Sequence, residues 1–119
     1  MIIGTGIDIV DIARFERAVT RTPRLKERLF APAERGMKLS SLAARYAAKE
    51  ALIKALGGSD GVYWTDIEVA SEASGKPIFA LSGSTQQVVD ERGISRLHLS
   101  MSHDAGLATA FVVAEGSFA

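Results

Sequence analysis

The chain has 119 residues, 47% hydrophobic and 24% charged, with a formal net charge of zero. That length and balance fit one domain, residues 1–119, with a real core, and argue against intrinsic disorder. Cysteine is absent, which excludes disulfides, zinc–thiolate sites, iron–sulfur clusters and a cysteine nucleophile, and accords with a reducing cytosol.

The first eleven residues, MIIGTGIDIVD, contain acids and no basic head, so no signal peptide is expected. No run approaches the ~20 apolar residues of a membrane helix. Charge is unevenly spread. Residues 14–54 carry eleven Lys/Arg and four Asp/Glu, a local balance of +7, and the rest of the chain sums to −7. A basic surface on a neutral protein suggests an anionic partner or substrate. Solvated helix faces of mixed charge are the plainer reading.

Residues 2–10 alternate as a strand, with Ile3, Ile7 and Ile9 on one face and Gly4, Gly6, Asp8 and Val10 on the other. Asp11 reads as an N-cap for a helix over Ile12–Thr20, broken at Thr22-Pro23. A short helix is expected over Leu25–Phe30, and another starting at Ala31-Pro32. Ser40–Leu56 has high helix propensity and ends at Gly57-Gly58. At 100° per residue, Leu42, Tyr46, Leu52, Ile53 and Leu56 form an apolar arc that also contains Arg45 and Lys49. Glu50 and Lys54 lie just beyond its edge, and Ala44, Ala48, Ala51 and Ala55 form a small-residue stripe suited to close packing.

Thr65–Ser71 is expected as a strand with Ile67 and Val69 inward, followed by a Gly75-Lys76-Pro77 turn and a strand over Ile78–Leu81. Ser82 can cap a helix over Gly83–Glu91 that Gly93 ends. Arg96–Ser102 alternates, with Leu97, Leu99 and Met101 inward. After the turn His103–Gly106, Leu107–Ala114 reads as a strand buried on both faces. The order, a strand, a helical block and then mostly strands, makes the fold α+β.

Three groups carry chemistry. Asp8 and Glu50 would suit Mg²⁺ if the long helix packs on the first strand, since Mg²⁺ takes carboxylates and keeps sites for water and phosphate. The alternatives are a backbone-bonded turn acid for Asp8 and an i,i+4 ion pair with Lys54 for Glu50. Arg45, Lys49 and Lys54 share one helix; Lys49 is either a phosphate ligand or a lysine snorkelling to water. Ser100–Asp104 has the residue types of a hydrolase triad, but sequence neighbours do not make triad geometry and no G-x-S-x-G elbow is present. His103 is better read as a ligand contact, and His98 as structural. Gly4-Thr5-Gly6 lacks the lysine of a phosphate loop.

Four segments occur in order along nearly the whole chain: GIDIVDIARFE (Gly6–Glu16), RYAAKEALIKALG (Arg45–Gly57), GKP (Gly75–Pro77) and SMSHDAGLATAFVVAE (Ser100–Glu115). Together they resemble the holo-acyl-carrier-protein synthases, the small phosphopantetheinyl transferases. The resemblance implies a transferase fold, an antiparallel-rich sheet packed against one long helix with short flanking helices. It implies Mg²⁺-dependent transfer of phosphopantetheine from coenzyme A to a serine of apo acyl carrier protein, releasing adenosine bisphosphate, for fatty-acid or polyketide synthesis. By the same resemblance Asp8 and Glu50 hold the metal, Lys54 meets the phosphates, and the three form the catalytic set. Arg45, Lys54, Lys76, Pro77, Ser102 and His103 are the implied coenzyme A contacts. Arg14, Arg21 and Arg24 would face the acidic carrier. A cytoplasmic homotrimer with active sites between subunits is implied as well, with no nucleic acid and no membrane partner.

Two positions depart from the pattern. Larger transferases of this kind place a second acid two residues after the first, where this chain has Val10. The family often has Thr after the Phe of the short helix, where Ala31 stands here. The competing reading is a non-enzymatic basic module that binds coenzyme A or an acidic partner. It lacks an aromatic stacking platform or a nucleic-acid motif.

Overall fold

The computed structural model describes residues 1–117; residues 118–119, included in the single-domain expectation, lie outside the described residues. Strand β1 (Ile2–Asp11) runs directly into helix α1 (Ile12–Arg21). The Asp11 carboxylate accepts the Arg14 N–H at 2.9 Å, so the expected N-cap forms. Next come α2 (Arg24–Leu29), α3 (Leu39–Ala55), a 3-10 turn (Trp64–Asp66), β2 (Ile67–Ser71) and β3 (Pro77–Leu81). Helix α4 (Gly83–Glu91), β4 (Ile94–Asp104) and β5 (Leu107–Gly116) complete the order. The fold is α+β.

Strands β1, β5 and β4 form one antiparallel sheet in the order β1-β5-β4, and β2 and β3 form a separate hairpin. The seventeen-residue α3 lies across the inner face of the three-stranded sheet. Contact there is backbone to backbone. A Cβ at Gly6 would collide with the Ala51 carbonyl, and one at Gly4 with the Ala55 carbonyl. The glycines of β1 therefore meet the alanine stripe of α3, as that stripe suggests. Around this seam Leu42, Leu52, Ile67, Val112 and Phe30 are fully buried.

Several expectations change. No helix starts at Ala31-Pro32; residues 31–37 form tight turns, with Glu34 N–H donating to Ala31 O and Met37 N–H to Glu34 O. The buried Glu34 carboxylate takes the Ala31 N–H at 2.9 Å and the Val69 N–H at 3.0 Å, which holds the segment against β2 instead of letting it coil. The expected strand from Thr65 starts at Ile67, after the 3-10 turn. Ser82 does not cap α4 through its side chain. The Asp66 carboxylate does so, accepting the Thr85 hydroxyl at 3.1 Å and its N–H at 3.4 Å.

β5 is not buried on both faces. Its inner residues Ala108, Ala110, Val112 and Ala114 are buried, but Leu107 and Phe111 are exposed. In β1, Ile7 and Ile9 are likewise 62% and 63% exposed. Helix α3 covers only the inner face, so apolar residues of the outer face meet no cover among the described residues. The β4–β5 hairpin closes on Ala105 and Gly106, with φ of 51° and 77°, the left-handed pair a tight two-residue turn requires.

Candidate active site

The inner face of β1 is bare at Gly4 and Gly6, so the first side chain it offers beside α3 is Asp8. On α3 the i, i+4 rule puts Tyr46, Glu50 and Lys54 in one row, each a turn apart. Asp8 and this row border a single cavity of about 420 Å³, walled further by Val10, Arg14, Phe15 and Leu25. Arg14 comes from α1, which the Asp11 cap starts immediately after β1. One strand and two helices thus bring three carboxylates and two cations to one opening: Asp8 and Glu50 beside Lys54, and Asp11, whose carboxylate caps α1, beside Arg14.

Lys54 crosses to the strand. Its ammonium donates to Asp8 Oδ1 at 3.1 Å and to the Ile7 carbonyl at 2.8 Å. The i,i+4 pair expected as the alternative for Glu50 does not form. Glu50 Oε1 accepts the Tyr46 hydroxyl at 3.0 Å instead. Burial, and then the Glu50 carboxylate beside it, push the Tyr46 phenol up to about 12, so it stays protonated and donates. The Asp8 backbone is held from the other side, where the Thr109 hydroxyl donates to its carbonyl at 2.9 Å.

The donor set fits a hard divalent cation. Asp8 and Glu50, bordering one solvent-open cavity, leave coordination sites for water and phosphate, as Mg²⁺ prefers. No cluster of three or more His, Cys, Asp or Glu with metal geometry occurs among the described residues, so protein atoms alone do not complete a cage. Val10, at the position of the second acid in larger transferases, is buried against the core.

Lys49 neither snorkels nor faces phosphate. It is fully buried, and its ammonium forms an ion pair with Glu34 and donates to the Leu29 carbonyl at 2.8 Å. Burial pulls its pKa below the usual lysine value, against the pull of Glu34. This buried ion pair ties α3 to the segment after α2. Spacing showed Lys49 inside an apolar arc, but its partner fifteen residues earlier has no local signature.

The other candidates lie apart. The Arg45 guanidinium donates to the Val69 carbonyl at 3.4 Å and the Ser41 carbonyl at 3.5 Å, outside the cavity lining. Lys76 sits exposed on the β2–β3 turn beside Pro77. Ser102 and His103 border a second cavity of about 270 Å³ at the end of β4, with Asp104, Leu107 and Thr109. Ile9 lines both cavities. Arg21 and Arg24 are exposed on α1 and α2 beyond the opening. Tyr46, read from spacing as core alone, and Glu34 are the residues that sequence reasoning missed.

The sequence profile of the 4'-phosphopantetheinyl transferase superfamily matches residues 4–112. The chain belongs to this superfamily. It is an enzyme of the family, and its relatives are holo-acyl-carrier-protein synthases. The one from Clavibacter sepedonicus is 62% identical over 116 residues, covering 98% of each chain. That from Leifsonia xyli subsp. xyli is 59% identical, covering 97% of this chain and 98% of the relative. The crystal structure of the Neisseria meningitidis synthase matches with a TM-score of 0.90 at 37% identity, over 97% of this chain and 99% of that one. The Helicobacter pylori synthase, solved in complex with coenzyme A, matches with a TM-score of 0.83 at 38% identity, over 93% and 99%. The architecture expected of the family, an antiparallel sheet against one long helix, is the architecture found.

Proposed function

We propose that this chain transfers the phosphopantetheine arm of coenzyme A to a serine hydroxyl of apo acyl carrier protein, in Mg²⁺-dependent fashion. The observation that carries the reading is the meeting of Asp8, Glu50 and Lys54 at one cavity beside the basic helix α1. Phosphoryl transfer asks chiefly for positioning and charge neutralisation, and this is a site for both. Asp8 and Glu50 are the residues that would hold Mg²⁺. When bound, the cation would neutralise charge on the pyrophosphate whose P–O bond breaks. Lys54 has three donors and reaches into the same opening, so it would bind the leaving phosphate and stabilise its growing charge. Glu50, or a water it orients, would accept the serine proton as the hydroxyl attacks phosphorus. The nucleophile belongs to the carrier, and adenosine bisphosphate leaves.

Arg14 at the mouth, with Arg21 and Arg24 outward, gives an acidic carrier a path of matching charge to the cavity. Arg45, Lys76, Pro77, Ser102 and His103 are the proposed coenzyme A contacts. They are scattered within one chain, which fits a site completed by a second subunit. The uncovered outer sheet face, with Ile7, Ile9 and Phe111, supplies an apolar surface for a homotrimer. No helix among the described residues is long and apolar enough to cross a membrane. A cytoplasmic enzyme serving fatty-acid synthesis accords with this.

The test is the intact mass of an apo acyl carrier protein after incubation with the chain, coenzyme A and Mg²⁺. One phosphopantetheine should be gained, and a chelator should abolish the gain. Asp8→Asn and Glu50→Gln should fold normally and slow transfer about 10²–10³-fold. No gain from a folded chain that binds coenzyme A would refute the transferase reading.

A further inference from the structure

Tyr46 has two features that no core role requires. Its hydroxyl reaches the cavity that Asp8, Glu50 and Lys54 border, where it donates to Glu50 Oε1 at 3.0 Å. Its ring is also clamped. Trp64 stacks on it with centroids 5.5 Å apart and planes 15° from parallel, and Phe15 lies 5.5 Å away at 34°. Phe15 in turn meets Phe30 edge-on at 6.1 Å. A ring held by two aromatic neighbours keeps its hydroxyl in one direction. Glutamate has three side-chain torsions and would otherwise lose rotamer freedom when a cation takes it. A donor fixed on Oε1 restrains the carboxylate beforehand, and the other oxygen keeps its lone pairs for a ligand.

We propose that Tyr46 is a positioning residue for Glu50: its clamped hydroxyl orients the carboxylate so that the free oxygen is preorganised for a divalent cation at the Asp8–Glu50 site. Carboxylates that ligate metals are themselves commonly hydrogen-bonded, and losing such a partner weakens metal binding. The inference rests on reading Glu50 as a cation-holding group, and the experiment separates the two.

The Tyr46→Phe chain keeps the ring and removes only the hydroxyl. Mn²⁺ binding to the full-length protein saturated with coenzyme A is read from the electron paramagnetic resonance signal of free Mn²⁺, and the urea midpoint is measured in parallel. The midpoint should stay near wild type, since the ring stack remains. Mn²⁺ affinity should fall about tenfold. At saturating metal the KM for coenzyme A should not change. In a Glu50→Gln background, Tyr46→Phe should have no further effect on Mn²⁺ binding. Wild-type Mn²⁺ affinity in Tyr46→Phe, or an equal loss in the Glu50→Gln background, overturns the role of Tyr46. Wild-type affinity in Glu50→Gln itself overturns the reading of Glu50 beneath it.

Discussion

At the residue scale, the two lysines of α3 show how little a residue type says without its partner. Lys54 is half exposed and spans from helix to strand, so its pair with Asp8 is screened and contributes little to stability. Its value is positional, because it carries positive charge at the opening. Lys49, five residues earlier on the same helix, is sealed from water. Its ammonium and the Glu34 carboxylate satisfy each other together with the backbone groups of Leu29, Ala31 and Val69. Removing one partner of such a pair strands the other charge in the core. Lys49→Met should therefore cost about 3–5 kcal/mol in urea unfolding. Adding Glu34→Gln should recover part of that loss by removing the stranded charge. A Lys49→Met chain as stable as wild type would show the pair to be energetically idle.

At the scale of elements, the site depends on how closely α3 approaches β1. Gly4 and Gly6 have no side chains, and Ala51 and Ala55 have small ones, so the helix backbone rests on the strand backbone. That close approach puts Asp8 and Glu50 on one cavity. Gly6→Ala should lift the helix, cost about 1–3 kcal/mol or more by overpacking, and reduce transfer beyond what the stability loss explains. The control must strain the backbone away from the site. Gly58→Ala does so: a φ of 151° strains a side chain there by about 1–3 kcal/mol, nothing crowds the new methyl, and it lies outside the proposed site residues. Denaturation midpoints and transfer rates of the two variants should part: similar destabilisation, with activity lost only at Gly6. Equal activity in both would mean that the helix–strand distance does not set the site.

At the scale of the whole molecule, the uncovered outer sheet face is the main unsatisfied feature. Ile7 and Phe111 are cross-strand partners on it, and Phe111 is 45% exposed. A monomer would leave these apolar side chains in water. Burying them between subunits of a trimer gains roughly 25 cal/mol per Å² before the costs of association. Sedimentation velocity should show a trimer for the wild type and monomer for Phe111→Glu. Transfer should fall with the assembly if neighbouring subunits share the site. A monomeric wild type would remove the support for intersubunit sites.

The sequence by itself determined the periodic and capped features: the β1 alternation that sets Asp8 apart from Ile7 and Ile9, the Asp11 cap, the long α3 with its alanine stripe, and the four ordered segments that carry the family likeness. These depend on local backbone preference and on residue spacing within one element, and both are written in consecutive residues. Only the tertiary structure decided that Lys54 pairs with Asp8, that Lys49 is buried on Glu34, that Tyr46 holds Glu50, that residues 31–37 turn, and that β5 has an open face. Each depends on which groups meet across elements or on which face stays uncovered, a matter of three-dimensional packing that no local period encodes.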